Sequence, residues 1–204
     1  MNLPNKLTLS RILLVPFFMV FIIPIPEWVV NADLLNSLTS EMKSFNNFIN
    51  NYGSYFAAII FIIASSTDGV DGYIARKTKQ VTKLGKFLDP IADKLLVTAA
   101  LIALVSNNTI SGWSAMVIIG REFIVTGLRL IAAGEGIVIS ASKLGKVKMV
   151  SQTIAISLAL LENFPFTYIT DFPIDTYVMF IAVVITAYSG VDYILKNGKV
   201  ISEN

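Results

Sequence analysis

Six apolar stretches divide this chain of 204 residues, at 12–26, 52–72, 87–105, 113–133, 147–161 and 176–195. Each reaches spanning length once helical extension into a bilayer interface is allowed. With 54% hydrophobic residues, 15% charged and a mean hydropathy of +0.69, the composition is that of a polytopic membrane protein. The expected fold is therefore all-α, a polytopic membrane protein of six transmembrane helices with a short N-terminal juxtamembrane helix. One membrane-embedded domain covering residues 1–204 is the simplest organisation, because no internal repeat or low-complexity tract stands out.

The first stretch follows Lys6 and Arg11, as a secretory signal would. No small-residue cleavage site comes after it, and Pro16, Pro24 and Pro26 interrupt it, so a retained first span is expected. There is no cysteine, hence no disulfide framework and no thiolate metal site. The net charge of +2 is too small to suggest nucleic-acid binding.

How the charge is distributed says more. Lys6 and Arg11 precede the first stretch, and Arg76, Lys77, Lys79, Lys83 and Lys86 lie between the second and third. Lys143, Lys146 and Lys148 lie between the fourth and fifth, and Lys196 and Lys199 end the sixth. The intervening connections hold Lys43 alone among Glu27, Asp33, Glu41, Glu162, Asp171 and Asp175. Under the positive-inside rule both termini face the cytoplasm, in a multi-pass protein of the cell membrane. The connection 27–51, rich in Asn and Ser, is expected outside as a short interfacial helix or an ordered loop.

Four aspartates sit within or beside the second and third stretches: Asp68 and Asp71, then Asp89 and Asp93. Ionisable residues at membrane depth are costly and by default mark function. Spacings of i,i+3 and i,i+4 put each pair on one helix face. Four converging carboxylates need a cation to offset their repulsion. Without His or Cys in the chain, an all-oxygen site for Mg²⁺ or Mn²⁺ fits best. Divalent ions so held can bridge phosphates and activate a hydroxyl, and in two-metal sites they lie about 3.5–4 Å apart. Gly72, Ala75 and Gly85 leave space for a bulky ligand, and Arg76 lies one turn past Gly72, where its fork suits a diphosphate. A diphosphate with a lipid tail would explain a site at the membrane.

The pattern Asp68-x2-Asp71-Gly72-x2-Ala75-Arg76-x8-Gly85-x3-Asp89-x3-Asp93 resembles, position for position, the signature of the CDP-alcohol phosphotransferases. The likeness extends to an opening Pro4-Asn5-x2-Thr8-x2-Arg11. Within the family the chain looks most like the bacterial branch that makes phosphatidylglycerophosphate. That narrower likeness rests on Leu88-Asp89-Pro90-Ile91-Ala92-Asp93-Lys94, Gly120-Arg121-Glu122-Phe123, Arg129 and Leu144-Gly145-Lys146-Val147-Lys148. Gly69 and Met149 depart from what bacterial relatives often carry, and neither touches the signature.

The resemblance implies roles. Asp68, Asp71, Asp89 and Asp93 would hold two divalent cations, with Asp93 also the general base. Asp68, Gly72, Ala75, Arg76 and Gly85 would receive the CDP moiety. Arg11, Arg121, Arg129, Lys146 and Lys148 would hold the acceptor's phosphate. Asn5 and Thr8 share the helical face of Arg11, and that N-terminal helix would lie on the cytoplasmic surface and help close the site. Substrates would be CDP-diacylglycerol and glycerol 3-phosphate, within membrane lipid, and relatives form homodimers.

Other readings stand beside these. The acceptor could be phosphatidylglycerol, as in a cardiolipin synthase. A divalent-cation transporter also keeps acids in its helices, though it would not need the Gly-x2-Ala-Arg segment, and the two halves show no paired broken-helix pattern. The run 76–86 and Lys146 and Lys148 could be anchors for anionic headgroups. Arg121 and Arg129 could simply satisfy Glu122 inside a bundle, and 4–11 could be a plain amphipathic lead-in.

Overall fold

The computed structural model describes residues 3–78, 83–137, 139 and 142–198. The side chains of 3–7, 35, 68–78, 83–87, 89, 90 and 93 lie outside that description. Among the described residues every regular element is a helix, and there is no strand.

Helix α1, Leu3–Ile22, is apolar and passes through Pro16 without a break. Among the described residues no separate juxtamembrane helix precedes it, which corrects that expectation: Thr8 and Arg11 belong to the same helix as the apolar stretch, and both are buried. Pro24 cannot donate to a helix and biases the residue before it out of helical geometry, so α1 ends there.

The connection 27–51 is ordered and helical, in three pieces: α2 (Glu27–Val30), a 3₁₀ segment (Asp33–Leu38) and α3 (Thr39–Phe48). Asn46 of α3 clamps the Pro24–Pro26 bend. Its Oδ1 accepts from the Ile25 N–H at 2.7 Å and its Nδ2 donates to the Ile25 carbonyl at 2.8 Å. A π turn, Ile49–Gly53, leads directly into α4, Ser54–Thr78. At Gly53 an added Cβ would lie 2.1 Å from the Phe21 carbonyl oxygen, so only glycine lets this turn meet α1 so closely. Phe21 stacks on Phe56 at 5.5 Å, and Phe48 tilts against Phe56 at 5.7 Å. α1 packs along α4, with Phe18 and Ile22 buried from one helix and Ala57, Ala58, Phe61 and Ala64 from the other. The small alanines allow the backbones to approach.

After α5, Lys83–Ser106, Asn108 adopts a left-handed conformation (φ 57°) and the Thr109 N–H returns to the Leu104 carbonyl. Asparagine tolerates that geometry as a helix stop. Ser111 then caps α6, Gly112–Gly134, accepting from the Trp113 N–H at 3.2 Å. Helix α7, Lys143–Leu160, is capped in the same way by Ser142, whose hydroxyl accepts from the Gly145 N–H at 3.0 Å. In the following connection Asn163 donates to the Phe172 carbonyl and accepts from the Asp175 N–H, which ties the loop to the first turn of α8, Ile174–Asn197.

The chain forms two compact units. One holds α1 to α5 as far as Ala103, with Leu160–Glu162; the other holds the remainder. In the second, α6 packs against α8 through Val125, Leu128 and Tyr193 among others. Gln152 of α7 donates to Thr186 of α8 at 2.8 Å, and Thr186 donates to the Ala182 carbonyl at 2.6 Å, a buried and satisfied chain.

Each of the six apolar stretches overlaps one long helix. By length and composition, two helical stretches among the described residues are able to cross a membrane, Asn36–Thr67 and Ile174–Asn197. Only 33% of each apolar window is buried, unlike a core helix of a soluble protein. Large apolar side chains such as Leu13, Phe17, Ile59, Ile63, Phe180 and Ile181 face outward instead. Such a surface suits a lipid solvent.

Candidate functional site

The aspartate-bearing segments are both helical. Asp68 and Asp71 occupy the C-terminal half of α4, and Asp89 and Asp93 the N-terminal half of α5. The side chains of all four, with Gly72, Ala75, Arg76 and Gly85, lie outside the described residues, as does that of Asn5. The register of the two helices nevertheless bears on them. Ala57, Phe61 and Ala64 form a buried stripe on α4, and continuing that spacing of three and four lands on positions 68 and 71. On α5, Leu96 and Ala100 are buried, and positions 89 and 93 precede them by seven residues, two helical turns. A donor set of carboxylates alone, in a chain free of His and Cys, fits a hard divalent cation.

A second cluster lies in the other unit, where α6, α7 and α8 meet. Glu122 is its centre. The Lys148 ammonium of α7 is seated on the Glu122 Oε1. The same oxygen accepts from Arg121 Nη1 at 3.3 Å, a long contact because neighbouring helix positions point apart. Arg121 Nη2 reaches across to α8 and donates to Ser189 Oγ at 2.9 Å. Arg121 and Lys148 are largely buried, with side-chain exposures of 10% and 8%. Two cations therefore share one carboxylate in a confined space.

Arg129 is exposed. Its Nε donates to the Tyr193 hydroxyl at 3.1 Å, and its guanidinium stands 5.5 Å from the centre of the same ring. The Arg121–Ser189 and Arg129–Tyr193 contacts ascend α6 and α8 together, so these helices run parallel. Gln152–Thr186 lies one turn along α7 from Lys148, but one turn back along α8 from Ser189, so α7 runs the opposite way. Lys146 is exposed on the first turn of α7, and Arg11 is buried in the other unit.

Of the five cations singled out from the sequence, the structure brings Arg121 and Lys148 onto one partner. Arg129 reaches from α6 to Tyr193 of α8, and Lys146 lies at the surface. Arg121 contacts Glu122, its sequence neighbour, and also engages Ser189 of α8. Ser189, Gly190 and Tyr193 were missed. Their only signal is a Ser-Gly-x2-Tyr run in an otherwise apolar helix.

The model of the CDP-alcohol phosphatidyltransferase family matches residues 1–188. A CDP-diacylglycerol–glycerol-3-phosphate 3-phosphatidyltransferase of Bacillus subtilis is 47% identical over 196 residues, covering 96% of this chain and 95% of the relative. Proteins of the same name from Rickettsia felis and Shigella flexneri are each 33% identical, over 94% and 95% of this chain and 93% of each relative. The family depends on divalent cations, in keeping with the carboxylate set, and the cation-transporter alternative loses its support. Two apolar helices of spanning length agree with a membrane protein, as this membrane-enzyme family implies, and by its sequence the chain belongs to the CDP-alcohol phosphatidyltransferase family.

Proposed function

We propose that this chain transfers the phosphatidyl group of CDP-diacylglycerol to the primary hydroxyl of sn-glycerol 3-phosphate, giving phosphatidylglycerophosphate and CMP. Full-length likeness to relatives of that name supports the reaction. The observation that carries the choice of acceptor is the Arg121–Glu122–Lys148 cluster. A dianionic phosphate entering a partly dehydrated site needs charge-assisted donors, and a guanidinium can hold it through two parallel bonds. A neutral alcohol needs none of them.

In this reading Asp93 takes the proton from the acceptor hydroxyl, and the freed oxygen attacks the phosphorus that carries diacylglycerol. The bond from that phosphorus to the bridging oxygen breaks, and CMP leaves with the electron pair. Asp68, Asp71, Asp89 and Asp93 are the ligands for two divalent cations, Mg²⁺ or Mn²⁺. Bound there, such cations neutralise the diphosphate and stabilise charge as it develops. Gly72, Ala75 and Gly85 leave room for the CDP moiety, Asp68 borders it and Arg76 meets its phosphates. Arg121 and Lys148 hold the acceptor's phosphate, aided by Arg11, Arg129 and Lys146, with Asn5 and Thr8 on the adjoining face of α1.

The same reading takes the chain as one membrane-embedded domain of the plasma membrane, with six spans and cytoplasmic termini and site. The charge distribution along the loops supports that orientation. A homodimer is part of the proposal.

The experiment is release of CMP from CDP-diacylglycerol by the purified full chain with Mg²⁺ or Mn²⁺, across acceptors. Turnover with glycerol 3-phosphate and not with phosphatidylglycerol is the expected result. Turnover with phosphatidylglycerol alone would make it a cardiolipin synthase, and no CMP release with any acceptor would remove the enzymatic reading.

A further inference from the structure

Arg121 is held at two points by α8, and neither belongs to the sequence motif. Its Nη2 donates to Ser189 Oγ at 2.9 Å, the shorter of its two contacts; the one to Glu122 is 3.3 Å. Its aliphatic stem lies over Gly190, where an added Cβ would come within 2.9 Å of Arg121 Cγ and 3.8 Å of its Cβ. Ser189 and Gly190 are both buried. On the side of α7, Gly145 faces the guanidinium, where a Cβ would lie 4.0 Å from Arg121 Nη2. Its Nε is buried and makes no hydrogen bond among the described residues. A guanidinium carries five N–H donors, and the two contacts seen use one from each terminal nitrogen.

We propose that Ser189 and Gly190 are positioning residues for the acceptor, seating the Arg121 guanidinium so that its remaining donors meet the phosphate. The proposal rests on the reading of Arg121 as a phosphate ligand. Glu122 alone would tether the guanidinium without aiming it, because adjacent positions on one helix point in different directions. The hydroxyl of Ser189 fixes the plane of the fork, and the missing side chain of Gly190 fixes the path of the stem. Bidentate recognition depends on that plane.

The test uses the full-length protein and the variants Arg121→Ala, Ser189→Ala and Gly190→Ala, with Ser189→Ala also made in the Arg121→Ala background. For each, KM for glycerol 3-phosphate, KM for CDP-diacylglycerol and the melting temperature are measured. Ser189→Ala and Gly190→Ala are expected to raise KM for glycerol 3-phosphate about tenfold, the scale of one lost hydrogen bond to a charged group, with KM for the donor unchanged. Ser189→Ala is expected to add nothing once Arg121 is gone, since coupled residues are not additive. If Arg121→Ala raises the acceptor KM while both α8 variants leave it alone, the positioning role is wrong and the phosphate reading stands. If Arg121→Ala has no selective effect on the acceptor, the phosphate reading fails and takes the proposal with it. Should Gly190→Ala fold poorly, Ser189→Ala decides alone. An equal rise in both KM values with a lower melting temperature would make the seat merely structural.

Discussion

The Lys148 ammonium of α7 rests on the Glu122 carboxylate of α6, twenty-six positions away in sequence, on the same oxygen that Arg121 contacts. Removing one member of a buried ion pair costs more than the pair itself contributes, because the other charge is left without its partner. Under the proposed phosphate role of Arg121 and Lys148, stability and phosphate affinity would be linked through one carboxylate, which contacts both cations.

Glu122→Gln keeps the shape and removes that charge. The expected result is a melting temperature lower by about 6–12 °C, from a loss of roughly 3 kcal/mol at a largely buried pair. Inorganic phosphate is expected to recover part of the loss in the variant, and to do less for the wild type. Thermal unfolding with and without phosphate is the measurement, and an unchanged melting temperature would show the carboxylate to be dispensable.

Asp93→Asn is nearly isosteric but cannot take the hydroxyl proton. A positioned base commonly contributes about 10²–10⁴-fold, so turnover is expected to fall by that factor while Mn²⁺ binding persists. Rates at saturating metal and substrate, with Mn²⁺ titration in parallel, check this. Wild-type turnover in the Asn variant would remove Asp93 from the role of base.

Gln152 and Thr186 form a buried side-chain bond between α7 and α8 at 2.8 Å. Gln152→Leu leaves the Thr186 hydroxyl with only its bond to the Ala182 carbonyl, and a loss of about 1–3 kcal/mol is expected. Adding Thr186→Val is expected to return part of that loss, because replacing both polar partners avoids the unmet group. Stability of the two single variants and the double variant tests the pair, and strict additivity would mean the bond contributes nothing.

Topology is open to single-cysteine labelling, since the chain has no cysteine of its own. Cysteines at positions 43 and 171 are expected to react with an impermeant reagent from outside, and one at 79 only from inside. External labelling at 79 would reverse the proposed orientation and move the aspartate site with it.

Much of this protein is set by local chemistry that a sequence displays. Apolar runs become helices because their backbone groups find partners within the run, and each of the six stretches overlaps a helix for that reason. Stops and starts are equally local: Pro24 ends α1, Ser111 and Ser142 cap α6 and α7. The aspartate signature is visible because its chemistry demands fixed residues at helical spacing. Tertiary structure decided which helices are neighbours. Periodicity shows that α6 has an inner face, but not that α8 meets it with Ser189, Gly190 and Tyr193, or that Lys148 arrives from α7 to share Glu122. Nor does a Pro-interrupted start reveal that α1 runs unbroken from Leu3, or an Asn-rich connection that Asn46 will clamp Ile25. These outcomes depend on groups brought together from distant parts of the chain, and a residue's own spacing carries no information about a partner on another helix.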